Sequence, residues 1–189
     1  MKVGIFASGS GSNALNIIQH AKKTNNFEVA CILTNNPKAG VIQHATNEEI
    51  PFLVFAKTDF TSSLTILEYL KSQKVDVVIL AGFLWLIPTY LVQAFPNRIL
   101  NIHPALLPKH GGKGMYGHFV HEAVVRDQDS ESGITIHLVN EHYDEGAIIF
   151  QKSESVVGMN ANEVELVVRR LEIEHYPQVI SNFIQTLQK

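Results

Sequence analysis

The chain has one cysteine, Cys31, in 189 residues. A lone thiol closes no internal disulfide and builds no cysteine-rich zinc site. Charge of one sign is lacking too: 15 Lys and Arg stand against 18 Asp and Glu, a formal net charge of −3. A domain that coats nucleic acid is ordinarily basic, so no nucleic-acid partner is expected. Long apolar runs are missing. Val77 to Pro88, the longest, falls well short of the roughly 20 residues of a membrane span. Met1 to Ser8 carries one lysine and too short an apolar core for a signal peptide. A cytoplasmic chain without membrane contact is the expectation. With no repeat, low-complexity tract or linker, residues 1–189 are expected to form a single domain. Apolar residues make up 46% of the chain and charged residues 17%, as in ordinary folded proteins. Histidine, with nine residues, is the odd abundance.

The first half alternates short apolar runs with helical spacing. Lys2–Ala7, Phe27–Thr34, Phe52–Phe55, Val75–Ala81 and Ile99–Ile102 are predicted strands. Asn13–Lys23, Ala39–Glu48 and Thr61–Ser72 are predicted helices. This cadence predicts an α/β fold, an open, mostly parallel sheet with helices on both faces. Later, Tyr116–Arg126 is a predicted helix. Gly133–Val139 alternates and is expected to be half exposed, pairing with Ala147–Ser155 as a late antiparallel couple. Asn160–Leu187 is a predicted C-terminal helix that Pro177 is expected to kink or divide.

Between the first strand and the first helix lies Gly9-Ser10-Gly11-Ser12-Asn13. Glycines let a backbone approach an anion, and a helix start offers free N–H groups and the positive end of its dipole. Gly9, Gly11 and Ala14 also satisfy G-x-G-x-x-A, the dinucleotide pattern. That pattern wants an acid at the end of the second strand, where Thr34-Asn35-Asn36 stands instead. No Gly-Lys-Ser/Thr follows, so a nucleoside triphosphate loop is not expected either. A monophosphate ester fits best.

Asn101-Ile102-His103-Pro104 closes a strand, and residues two apart share a strand face. An amide beside an imidazole can stabilise charge developing on an oxygen. Such an imidazole needs a carboxylate partner, with Glu141, Asp144 and Glu145 as candidates. His137 falls on the polar side of its strand, bordering either the site or solvent. His118, His121 and Glu122 share a predicted helix, but no further ligand has the right spacing, so a solvated face rather than a metal site is expected.

Taken in order, five segments resemble the folate-dependent formyltransferases: Gly9–Asn13, Leu80–Leu84, Asn101–Lys109, Ser132–His137 and Asp144-Glu145-Gly146. The resemblance runs from Met1 to about Ile180 and implies a Rossmann-like formyltransferase fold. Length and phosphate loop point to the branch acting on glycinamide ribonucleotide. The implied activity is transfer of a formyl group from 10-formyltetrahydrofolate, the co-substrate, to the amine of that nucleotide in purine biosynthesis. No metal is implied. The implied partners are these two small molecules alone, with the protein a monomer or homodimer. Asn101, His103 and Asp144 are the implied catalytic residues, the aspartate raising the imidazole pKa and keeping it charged. Gly11, Ser12 and Asn13 match the substrate-phosphate segment, and Glu172 the acid that binds the ribose. Leu84, Trp85, Leu86, Ile87, Asn101, Glu141 and Asp144 match the folate pocket. The resemblance divides the domain into a phosphate-binding half, about 1–100, and a folate-binding and catalytic half, about 80–189.

Three positions depart from the family pattern. Trp85 replaces an arginine near the folate, where an aromatic stack would substitute. His110–His118 is richer in glycine and suggests a lid. Ile173 replaces a common histidine. Formyltransferases of tRNA or sugar nucleotides add a C-terminal domain and the formyltetrahydrofolate hydrolase an N-terminal one; a chain of this length is expected to carry neither. A non-catalytic dinucleotide-binding module is the rival from another class.

Overall fold

A computed structural model describes residues 1–188. β1 (Lys2–Phe6) leads into α1 (Ser12–Thr24), β2 (Glu28–Thr34) into α2 (Val41–Asn47), and β3 (Phe52–Val54) into α3 (Lys57–Thr61) and α4 (Thr65–Ser72). β4 (Val77–Leu80), α5 (Thr89–Ala94), β5 (Ile99–His103), α6 (His118–Arg126), β6 (Glu131–Leu138), β7 (Ile148–Ser155) and α7 (Ala161–Leu187) follow. One seven-stranded sheet has the order β3-β2-β1-β4-β5-β6-β7. The first five strands run parallel, and β6 and β7 are antiparallel additions. Strand order reverses between β1 and β4. In an open α/β sheet that reversal opens a crevice at the carboxyl ends of the strands, where ligands sit.

The two faces of the sheet explain its continuous apolar runs. Val3, Ile5, Val77 and Ile79 pack on one side with α1, α2 and α7. Phe6, Val78 and Leu80 pack on the other with α3, α4 and α5. Alternate side chains of one strand thus enter different cores, and in β4 all four are buried.

Four expectations change. The helix expected over Thr61–Ser72 begins only at Thr65, and a separate short helix, α3, ends at Thr61. Ser63 Oγ bonds the Asp59 carbonyl and the Thr65 hydroxyl, each at 2.9 Å, and such local side-chain bonds compete with the helical ladder. α5 was not anticipated: six residues after Pro88 are too few to show a period. Pro177 does not divide α7. A proline leaves the carbonyl four residues back without its N–H partner, and here the Asn16 amide supplies the missing donor to Ile173 at 2.6 Å. β6 is not half exposed, because Gly133 to His137 are all buried. Its apolar side joins the α7 core. Its polar side meets the turn after β5, where Thr135 Oγ1 donates to the Ala105 carbonyl at 2.6 Å and accepts from Leu107 N–H at 3.0 Å.

Candidate active site

A cavity of about 570 Å³ occupies the crevice. Gly11, Ser12, Asn13, Leu84, Trp85, Leu86, Ile87, Asn101, His103, Asp144 and Glu172 all line it. Glu141 does not. It is exposed on the loop after β6, and that loop turns His142, Tyr143 and Asp144 inward instead.

At one end, Gly11 caps α1 with φ +80°. A Cβ there would lie 2.7 Å from the Val41 backbone, so only glycine fits. Leu15 N–H is the first to find the Gly11 carbonyl, at 2.8 Å. The N–H groups before it, at the start of a 13-residue helix, are the free donors an anion requires. The Asn13 side chain points elsewhere, donating to Glu172 Oε2 at 2.9 Å. Burial raises the Glu172 pKa, and the Asn13 bond and nearby Arg169 oppose that. Glu172 is placed from below by Tyr176, one helical turn along α7. The Tyr176 hydroxyl, fully buried, reaches the carbonyls of Leu80 at 2.9 Å and Leu100 at 3.3 Å. The last residue of β4 and a residue of β5 are thereby tied to the helix that carries the acid.

At the other end, register makes the constellation. Asn101 stands directly opposite His137, and His103 opposite Thr135. His137 Nδ1 donates to the Leu138 carbonyl at 2.9 Å. Its Nε2 is left to accept from the Asn101 amide at 3.1 Å. One amide N–H is thereby fixed and the other remains for a ligand. His103 Nε2 donates to the His110 carbonyl at 2.8 Å, and Nδ1 lies 3.5 Å from Asp144 Oδ2. Asp144 adopts φ +56°, a conformation that aspartate tolerates better than most residues. Its Oδ2 accepts Gly112 N–H at 2.9 Å, and its Oδ1 lies 3.5 Å from His137 Nε2. Burial would raise the Asp144 pKa, but it is held below the usual carboxylate value, with the N–H that Gly112 donates to its Oδ2 among the causes.

The expected charge on His103 is corrected. Burial lowers its pKa and outweighs the opposing pull of Asp144 and the His110 carbonyl. With only 4% of the side chain exposed, desolvation of an imidazolium costs more than one carboxylate at 3.5 Å returns. The resting ring is neutral near pH 7.

The formyl transferase family model matches residues 1–180. The chain belongs to the formyl transferase family. It is 44% identical over 187 residues to the chloroplastic phosphoribosylglycinamide formyltransferase of Arabidopsis thaliana, covering 95% of this chain and 64% of that protein, so it spans less than two thirds of that relative. It is 34% identical to the Haemophilus influenzae phosphoribosylglycinamide formyltransferase, over 97% of this chain and 87% of that one. A solved structure of glycinamide ribonucleotide transformylase 1 from Geobacillus kaustophilus superposes with a TM-score of 0.88, at 34% identity, covering 97% of this chain and 98% of the other.

In this member of the formyl transferase family, the wall at Phe83–Ile87 is braced from behind. Phe6, Phe55, Phe60 and Phe83 form an aromatic cluster that Trp85 joins, 5.7 Å from Phe60 and 6.0 Å from Phe55. Such edge-to-face, tilted and stacked pairs fix ring orientation. Lys57 Nζ sits 4.2 Å from the Trp85 ring centroid.

The sequence reading gave too little weight to several cavity residues. Lys113 and Arg169 bring the cavity its cations. His121 is buried rather than solvated, and also lines the cavity. His118, its presumed companion, is exposed and bonds Glu165 at 2.9 Å. The signal was present: His121 lies three residues before Val124 and next to Val120, on the apolar side of α6. His110 was given no role, yet it bonds Asp129 at 2.6 Å while its carbonyl holds His103. The glycine-rich segment Gly112–Gly117 forms one wall of the cavity. Among the described residues, no group of three or more His, Cys, Asp and Glu side chains is disposed to hold a metal, and no helix is long and apolar enough to cross a membrane.

Proposed function

We propose that this chain transfers the formyl group of 10-formyltetrahydrofolate to the amine of glycinamide ribonucleotide, giving the N-formyl product and tetrahydrofolate. The observation that carries this reading is a single cavity with free backbone donors at one end and Asn101, His103 and Asp144 at the other. The phosphate takes the N–H groups at Gly11–Asn13, with Arg169 as counter-charge, and Glu172 receives the ribose hydroxyls. The pterin lies against Leu84–Ile87 and the loop at His142–Asp144. Recognition of phosphate belongs to residues of about 1–100 and chemistry to about 80–189, with Glu172 reaching back across that division. The enzyme acts in the cytoplasm on these small molecules, as a monomer or homodimer.

The amine nitrogen attacks the formyl carbon, and the carbonyl oxygen takes the displaced electron pair. The free Asn101 N–H donates to that oxygen. His103, neutral at rest, binds a proton from water as negative charge grows beside it, and returns it when the carbonyl re-forms. Its Nδ1 then donates to the same oxygen while the His110 carbonyl keeps the ring in place. Asp144 takes the proton from the attacking amine. The C–N10 bond breaks as the carbonyl re-forms, and N10 receives that proton. Cys31 is buried in β2 with its pKa pushed up to about 12 by burial, which suits a mechanism without an enzyme thiolate.

The test is release of tetrahydrofolate by purified protein given 10-formyltetrahydrofolate with and without glycinamide ribonucleotide. Release that requires the amine is the expected result. Equal release without it would make the protein a hydrolase.

A further inference from the structure

His121 is an anomaly among the cavity residues. Its side chain is 3% exposed, it faces the cavity, and its Nδ1 is buried without a hydrogen-bond partner among the described residues. A buried polar atom left unpaired is costly, and native structures keep such atoms chiefly where something else completes them. The nearby acid is already engaged. Glu165 takes His118 Nδ1 at 2.9 Å and Arg169 Nε at 3.3 Å. Burial lowers the His121 pKa to about 4, with Glu165 opposing and His118, Arg169 and His103 reinforcing. The ring is therefore neutral at physiological pH and offers one donor and one acceptor nitrogen.

A secondary amide carries one N–H and one carbonyl. In the function proposed above, on which this step rests, the substrate has one such amide, in the glycinamide arm between ribose and amine. That arm must run from Glu172 toward His103, and His121 lines the same cavity as both. We infer that His121 is a substrate-binding residue that recognises the amide of the glycinamide arm. It sets which phosphorylated ribose derivatives enter productively, separately from the phosphate loop and the formyl-transfer residues.

The test is calorimetric binding of glycinamide ribonucleotide and of ribose 5-phosphate, which lacks the arm, to the full chain, to His121→Phe and to His121→Gln. The expected result is an affinity about tenfold weaker for glycinamide ribonucleotide in His121→Phe, the worth of one hydrogen bond. Ribose 5-phosphate should bind the wild type and His121→Phe alike, which also shows that the variant folds. His121→Gln should recover part of the loss. Unchanged binding of both ligands, or an equal loss of both, would overturn the inference. If the wild-type chain binds ribose 5-phosphate but not glycinamide ribonucleotide, the functional reading fails and takes this inference with it.

Discussion

The two ends of the cavity are built by different means. The end proposed for phosphate relies on backbone: a glycine that nothing can replace, a helix start, and a buried tyrosine tying α7 to β4 and β5. The end proposed for catalysis relies on side chains that hold one another: Asn101 on His137, His103 on the His110 carbonyl, Asp144 on Gly112. Backbone donors have no protonation state to lose. Side-chain networks do, and here burial and neighbouring charge decide it. Chemistry that moves protons belongs at the second end, and binding of a permanent anion at the first.

The largest effect should break the catalytic end alone. Asp144→Asn keeps the shape and removes the charge, and should lower kcat by roughly 10² to 10³, in the range of losing one electrostatic group from such a site. The KM for either substrate should change little, and steady-state kinetics with each substrate varied checks both. The next concerns the cost of the buried imidazoles. A histidine whose folded pKa lies below its ordinary value of 6.5 binds its proton less readily folded than unfolded. Its contribution to stability is full above 6.5 and is lost as pH falls toward the folded value. For His121, held at about 4, that loss amounts to about 3 kcal/mol between pH 6.5 and 4. Urea unfolding at several pH values should show a shallower acid slope for His121→Phe than for wild type. At the phosphate end, Gly11→Ala forces a Cβ into Val41. It should raise the KM for the nucleotide about tenfold while leaving that for folate within about twofold; the same kinetics would show the reverse if the phosphate sat elsewhere. The smallest expected effect is at the outer wall. Trp85→Ala removes the platform under Lys57 and should weaken folate binding by about three- to fivefold, with nucleotide binding unchanged.

The comparison also separates what could be read in the sequence from what could not. The strand-to-helix glycine loop and the alternating strands were legible because they are local: period, glycine placement and helix start all lie within a few residues. Asn101 and His103 were legible as a pair for the same reason. Their partners were legible only in part, Asp144 as one of three candidate acids that the resemblance singled out and His137 as a residue bordering either the site or solvent. His137 meets Asn101 through strand register, and Asp144 reaches His103 through a loop whose shape no period encodes. His103 was expected to be charged because proximity of an acid is easy to infer from motif order, whereas burial, the larger influence, depends on the whole fold. Pro177 misled because its repair comes from Asn16, more than 150 residues away in sequence.

In the proposed reaction Asn101 serves the transition state of formyl transfer rather than substrate binding. Single-turnover transfer from 10-formyltetrahydrofolate to glycinamide ribonucleotide, with both substrates saturating, isolates that step. Asn101→Ala should transfer roughly 10² to 10³ times more slowly than wild type. A variant that transfers at the wild-type rate would contradict it.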